Sequence, residues 1–224
     1  MTQQWADYRV FWREFRRTFE STGAVLPSGP SLSAALARYV RDGDQCSTGR
    51  RILEVGPGTG AVTRYIVRAM RDGDRLLLVE RNGEFVARLR ERLDRDDVYN
   101  VRRDQIELRH CSVEDVAEDE PYDVIVSGLP LNNFPVALVE AILAKLNRLL
   151  APGGTLSFFE YIAIRRVKTS LSRSAERERL QAIGLLLDEF LGQHEFRRDR
   201  VLANVPPAWV HHVRLATDNG KKSS

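Results

Sequence analysis

Three glycines at alternate positions follow the apolar run Ile52 to Val55, in the stretch Gly56-Pro-Gly-Thr-Gly60. Glycine has no Cβ, so a turn of this kind brings backbone N–H groups close to a ligand where a helix begins. The spacing narrows the choice of ligand. A dinucleotide fingerprint reads G-x-G-x-x-G and a phosphate loop ends in Gly-Lys-Ser/Thr, and this stretch is neither. A tight strand-to-helix turn without a ligand would also use these glycines. Two carboxylates flank the loop: Glu54 lies inside the preceding run, and Glu80 ends Leu76-Leu-Leu-Val-Glu80, 20 residues after Gly60. At that spacing a carboxylate can accept both hydroxyls of a ribose, so the set fits a nucleoside-bearing cofactor.

These groups need a frame. Apolar runs at 51–55, 75–80, 105–109, 122–127 and 155–164 predict buried strands. Helical periodicity separates them, over 61–70, 83–94 and 135–150, with Ala151-Pro-Gly-Gly154 as the last helix stop. The alternation predicts a parallel α/β sheet. A further helix is expected over 31–40. After Ile164 the rhythm changes to a charged amphipathic stretch, 172–191, and then to two extended segments around Asn204-Val-Pro-Pro207. The tail 216–224 has the composition of a disordered end.

A chain of 224 residues with 43% hydrophobic content can bury one sizeable core. No apolar run reaches the roughly 18 residues of a membrane span, and the start lacks a secretory core, so a cytoplasmic location is expected. Cys46 and Cys111 belong to no CxxC or Cys/His set and are expected to be reduced. His110 and the pair His211-His212 complete no metal spacing, and adjacent strand residues face opposite ways, so no metal is expected. A formal charge of +3 and a pI near 9.0 do not by themselves establish a nucleic-acid partner. The charge is uneven. Six Lys or Arg and two acids lie between Arg165 and Arg179, and Arg9, Arg13, Arg16 and Arg17 crowd the first segment.

The G-x-G-x-G loop with its acidic strand residue resembles the S-adenosylmethionine site of class I methyltransferases. That resemblance implies a Rossmann-like sheet, Glu54 near the methionine end of the cofactor, and Gly56, Gly58, Gly60 and Glu80 as cofactor-binding residues. In many of those enzymes an acid after the third strand contacts adenine; the matching position here is Ser112. In amine-methylating members a proline-containing loop after the fourth strand orients the nitrogen through its carbonyls. Here that loop is Ser127-Gly-Leu-Pro130. Ribosomal RNA adenine dimethyltransferases follow it with an aromatic residue that stacks on a flipped base. This chain has Leu131 there, with Phe134 nearby.

Five motifs in order, Thr22-Gly-Ala-Val-Leu-Pro-Ser-Gly29, the glycine loop, Ser127-Gly-Leu-Pro-Leu131, Phe159-Glu-Tyr161 and Asn204-Val-Pro-Pro-Ala208, are together similar to the bacterial phospholipid N-methyltransferases. The resemblance runs from about Phe11 to Val213 and implies a soluble enzyme that methylates the amine of phosphatidylethanolamine, or of ornithine lipids, from the membrane surface. The segment 172–191 departs from it. Trp5, Tyr8, Phe11, Trp12, Phe15 and Phe19 fall within an arc of roughly 120° when wound as a helix, flanked by Arg9, Arg13 and Arg16. Such a helix could lie in an anionic membrane interface or pack on the domain. The expected organisation is a membrane-contacting helix over 1–22, a methyltransferase domain over 23–215 and the tail.

Methyl transfer needs a neutral amine aimed at the sulfonium carbon. The carbonyls of Ser127 and Leu129 could accept amine protons, and Tyr161 could orient the nitrogen or pass a proton. Glu160 could be a base or an ion-pair partner. Ser28 could bond the methionine or the acceptor, or sit in an ordinary turn. Asn204 could shape one wall of the acceptor site or belong to a rigid turn. The basic segment 165–179 could hold a lipid phosphate or be a solvated face. The expected protein is thus an aminolipid N-methyltransferase, monomeric or weakly oligomeric; an RNA adenine methyltransferase and a catalytically silent membrane adaptor are the other readings.

Overall fold

The computed structural model describes residues 28–42, 49–162 and 174–214. Its frame is a seven-stranded sheet: β1 (Arg51–Val55), β2 (Arg75–Glu80), β3 (Ile106–His110), β4 (Tyr122–Ser127), β5 (Leu150–Tyr161), β6 (Glu195–Val201) and β7 (Ala208–Arg214), in the order β3-β2-β1-β4-β5-β7-β6. The first five strands are parallel and β7 runs antiparallel between β5 and β6. The inner strands β1, β2 and β4 are continuous apolar runs because helices cover both of their faces. That confirms the Rossmann-like α/β expectation.

The helices are α1 (Pro30–Leu36), α2 (Arg38–Asp42), α3 (Thr63–Ala69), α4 (Gly83–Arg95), α5 (Asp97–Asn100), α6 (Val136–Leu149) and α7 (Ser174–His194). One core, against α1 to α5, holds Leu32, Ile52, Ile66, Leu78 and Phe159. The other, under α6 and α7, holds Leu53, Ile125, Phe134, Leu146 and Phe158. Phe158 and Phe159 fall into different cores because successive side chains on a strand face opposite ways. From Ser174 onward the charged segment 172–191 folds as the long helix α7, packed through Leu180, Ile183 and Leu187.

Several boundaries differ from expectation. The 31–40 helix breaks at Ala37, and the ion pair of Arg38 with Asp199, 2.7 Å apart, anchors the second piece to β6. Strand β3 is displaced by one residue, to 106–110. Strand β5 starts at Leu150 rather than Thr155, running through a register shift against β4 in which Gly153 has φ +75°. Among the described residues no helix is long and apolar enough to cross a membrane.

Candidate active site

Strand order reverses between β1 and β4, and in such sheets ligands bind outside the carboxyl ends of the strands at that switch. The glycine loop leaves β1 there. Gly56, Gly58 and Gly60 all have positive φ, +69°, +56° and +86°. A Cβ at Gly56 would fall 2.8 Å from Leu129 Cδ2 and one at Gly60 2.8 Å from Leu89 Cδ1, whereas one at Gly58 would meet nothing within 4 Å. Two glycines therefore let the loop pack against its neighbours, and the middle one faces open space of the kind a ligand fills. The loop is braced from behind: Arg92 Nη1 donates to Thr59 O at 2.7 Å, and the Tyr99 hydroxyl, its pKa pushed up to about 12 by burial, donates to Gly60 O at 3.4 Å.

Glu80 closes the neighbouring wall. Its carboxylate accepts from Gly58 N–H (3.0 Å) and Asn82 N–H (2.7 Å). Burial raises its pKa, and those two N–H bonds pull the other way. A carboxylate has about four acceptor positions, and with Arg81 N–H bonded as well, one remains for a ribose hydroxyl. Glu54 is 1% exposed. Burial pushes its carboxyl up to about 8; the nearby Thr63 hydroxyl opposes this shift, and the charge of Glu80 adds to it. Glu54 Oε2 and Thr63 Oγ1 are both buried without a hydrogen bond of ordinary geometry.

At β3, the Ser112 hydroxyl bonds the Glu114 carboxylate, and Ser112 N–H donates to Asp115. An acid, Glu114, therefore stands two residues beyond Ser112, bonded to its hydroxyl. Burial raises the Glu114 pKa.

Ser127 ends β4, Leu129 follows it in the next loop, and Tyr161 ends the neighbouring strand β5. The loop after β4 presses on the glycine loop: Gly128 N–H donates to Val55 O at 2.8 Å, and a Cβ at Gly128 would fall 2.6 Å from Gly56 O. Ser127 is fully buried, with its Oγ accepting from Leu129 N–H at 3.4 Å. The Leu129 carbonyl already accepts Leu131 N–H at 3.0 Å, leaving one lone pair for an acceptor amine. Tyr161 stands edge-on to Phe159, and burial raises its phenol pKa, keeping the proton on at neutral pH. Glu160 faces away from Tyr161, toward His211, Nε2 to Oε2 being 3.8 Å.

Ser28 reaches the same edge through a clamp. Asn204 Oδ1 accepts Gly29 N–H at 2.9 Å and Asn204 Nδ2 donates to Pro206 O at 2.7 Å. Asn204 therefore ties the segment before α1 to the β6–β7 loop, which corresponds to the rigid-turn alternative. His211 and His212 face opposite sides of β7, bonded to Glu195 (2.6 Å) and to Ser157 (2.8 Å) and Asp199 (3.2 Å); burial pulls His212 down to about 4. Among the described residues no His, Cys, Asp and Glu cluster could hold a metal. Trp5, Arg9, Trp12, Phe15, Arg16, Cys46, residues 165–173 of the basic segment and the tail lie outside the described residues.

Sequence reasoning missed Asn82 and Arg179. Asn82 precedes Gly83-Glu84 as a helix cap, a legible signal, and its side chain accepts Glu84 N–H at 2.9 Å. Arg179 of α7 reaches under the loop after Pro130, donating from Nη1 to Asn132 O (3.0 Å) and Phe134 O (2.8 Å). Removing it leaves two carbonyls short of a donor. Arg179→Met is expected to lower methyl-transfer kcat/KM about tenfold, a loss of ~1.4 kcal/mol, while S-adenosylhomocysteine affinity stays unchanged. Kinetics paired with equilibrium titration would check this.

Residues 52–154 match the family model described as "Methyltransferase domain". The chain is similar to the ornithine lipid N-methyltransferase of Singulisphaera acidiphila, 27% identical over 157 residues that cover 67% of this chain and 76% of the relative. Among solved structures, it is similar to the O-methyltransferase from Bacillus cereus in complex with SAH, with TM-score 0.62, 16% identity and coverage of 91% of this chain and 90% of that one. The O-methyltransferase TomG from Streptomyces achromogenes in complex with SAM gives TM-score 0.61, 15% identity and coverage of 89% and 86%. With the glycine loop, the buried Glu80 carboxylate and the matching domain in one sheet, the chain is an S-adenosylmethionine-dependent methyltransferase of Rossmann-like fold.

Proposed function

We propose that the chain methylates the primary amine of a membrane aminolipid, phosphatidylethanolamine or its methylated forms, at the membrane surface. One observation carries the reading: the Ser127-Gly-Leu-Pro130 loop is locked against the glycine cradle by the Gly128 contact, so backbone acceptors adjoin the cofactor wall. The similarity to an ornithine lipid N-methyltransferase supports an amine on a lipid and keeps ornithine lipid as the alternative headgroup. The stripe of Trp5, Trp12 and Phe15 with Arg9 and Arg16 supplies the membrane contact in this reading, as a helix over 1–22 ahead of a methyltransferase domain over 23–215.

When bound, S-adenosylmethionine supplies a methyl group on a sulfonium sulfur. Residues of the chain hold that cofactor at Gly56 to Gly60 and at the Glu80 carboxylate. The Leu129 carbonyl would accept an N–H of the incoming amine and so orient its lone pair toward the methyl group, and the ammonium product would shed one proton to water. Tyr161, protonated by virtue of its burial, orients the nitrogen rather than acting as a base. Phe134 is fully buried in the core under α6 and Leu131 is buried beside it, so neither offers a stacking face for a flipped base. That weighs against the RNA adenine reading.

The test incubates the protein with methyl-labelled S-adenosylmethionine, vesicles containing phosphatidylethanolamine or ornithine lipid, and total RNA, and counts label in the organic and aqueous phases. Label in the organic phase is expected, with thin-layer separation naming the headgroup; label in RNA alone would replace the lipid reading.

A further inference from the structure

We propose that the β6–β7 hairpin is a docking surface for an anionic lipid bilayer, with Arg198 and Arg200 taking lipid phosphates while Leu202 and Val205 enter the headgroup boundary. The proposal rests on the aminolipid reading and adds to it a surface separate from the N-terminal stripe.

The two arginines share one aromatic ring. Arg200 lies opposite Trp209 in the β6–β7 ladder and Arg198 opposite His211. Arg198 Cζ is 5.0 Å and Arg200 Cζ 5.6 Å from the centroid of the Trp209 ring. Stacking engages the face of a guanidinium and leaves its edge N–H donors directed outward, the geometry that suits a phosphate. Both side chains are exposed, and among the described residues neither is paired with a carboxylate. Of the two acids on this strand, Asp199 is engaged on the opposite face, with Arg38 at 2.7 Å and Arg197 at 2.9 Å, and Glu195 is engaged with His211 at 2.6 Å. Two like charges held together, neither of them paired with a carboxylate, suit an anion from outside.

The hairpin tip adds the apolar half. Leu202 is 58% and Val205 73% exposed. A single exposed Leu or Val is ordinary on a protein surface, but these two stand beside the arginine pair on a loop that cannot retract. Asn204 clamps it to Gly29, and Ile162 N–H donates to Pro207 O at 2.9 Å. Those ties fix the tip to the sheet edge that carries Tyr161, so a bilayer under the hairpin would sit at the mouth of the candidate active site.

The test sediments the full chain with vesicles of phosphatidylcholine, with and without phosphatidylglycerol. Arg198→Gln with Arg200→Gln is expected to weaken partition into the anionic vesicles about 30-fold and to change little on phosphatidylcholine alone. Leu202→Ser with Val205→Ser is expected to weaken both. Each pair should still methylate a short-chain aminolipid dispersed in detergent at the wild-type rate, while turnover on bilayer lipid falls in step with binding. Wild-type binding by both pairs would overturn the docking surface, as would a loss confined to RNA binding. If the wild type methylates no aminolipid but still needs these four residues to bind vesicles, the surface stands and the acceptor reading fails. Should a double variant melt early, Val205→Cys carrying an environment-sensitive dye, in a Cys46→Ser, Cys111→Ser background, replaces it. A blue shift on phosphatidylglycerol vesicles is expected, and its absence overturns the proposal.

Discussion

Gly58→Asp is expected to lower S-adenosylmethionine affinity at least about 100-fold, equivalent to ~2.8 kcal/mol, in a protein that still folds. The argument separates the three motif glycines. At Gly58 a Cβ meets nothing within 4 Å, so the new side chain enters the space the cofactor requires without striking protein. The φ of +56° costs a non-glycine residue ~1–2 kcal/mol, and aspartate tolerates that region better than most. A carboxylate there also stands beside Glu80, whose Oε2 accepts the Gly58 N–H, and adds a like charge at the ribose wall. Gly56→Ala gives the contrast. Its Cβ would lie 2.8 Å from Leu129 Cδ2, so it should lower the melting temperature as well as the affinity. Titration with S-adenosylhomocysteine beside thermal melts checks both. Wild-type affinity in Gly58→Asp would mean that the cofactor lies elsewhere.

Replacing Glu54 with Gln should stabilise the protein at alkaline pH. The folded carboxyl sits at about 8 against an ordinary 4.5, raised by burial first and by Glu80 third, with Thr63 opposing between them. Between those values the folded chain keeps a proton that the unfolded chain has released. Stability from this group therefore falls as pH rises through the window, by ~5 kcal/mol in all. Above pH 8 the wild type holds a buried carboxylate whose Oε2 makes no hydrogen bond. Glu54→Gln removes the charge and keeps the shape. At pH 9 it is expected to gain at least ~2 kcal/mol, about 4–8 °C in Tm for a chain of this size, whereas at pH 5 the two proteins should melt together. Melting curves across that range decide it; a variant less stable than wild type at pH 9 would mean that Glu54 is ionised and partnered.

The central strands and the cradle were legible because each is a local pattern. Ile52 to Val55, Leu76 to Glu80 and Tyr122 to Ser127 are unbroken apolar runs bounded by turns, and Gly56 to Gly60 follows the first of them directly. Glu160 was legible too, since period-two alternation alone puts it on the sheet face opposite Tyr161. What the sequence hid depends on contacts between distant segments. Nothing near Asn204 says that its amide will hold Gly29, 175 positions away. Arg179 reads as one more charge on an amphipathic helix until α7 packs beside the loop after Pro130. Phe134 lies near enough to the acceptor loop to suggest a base platform, and its burial under α6 removes it from that role. The Ser112 contact is intermediate: the serine is where the motif puts it, but its hydroxyl is spent on Glu114.

The central claim, that this cradle hands a methyl group to a lipid amine, is tested most directly by locating the methyl on the product. Purified protein, S-adenosylmethionine with a deuterated methyl, and phosphatidylethanolamine vesicles would be incubated and the lipids fragmented in a mass spectrometer. The account predicts the deuterated methyl on the headgroup nitrogen fragment, with glycerol and acyl fragments unchanged and no product from Gly58→Asp. Label on an oxygen or an acyl chain, or an unmodified lipid beside methylated RNA, would contradict it.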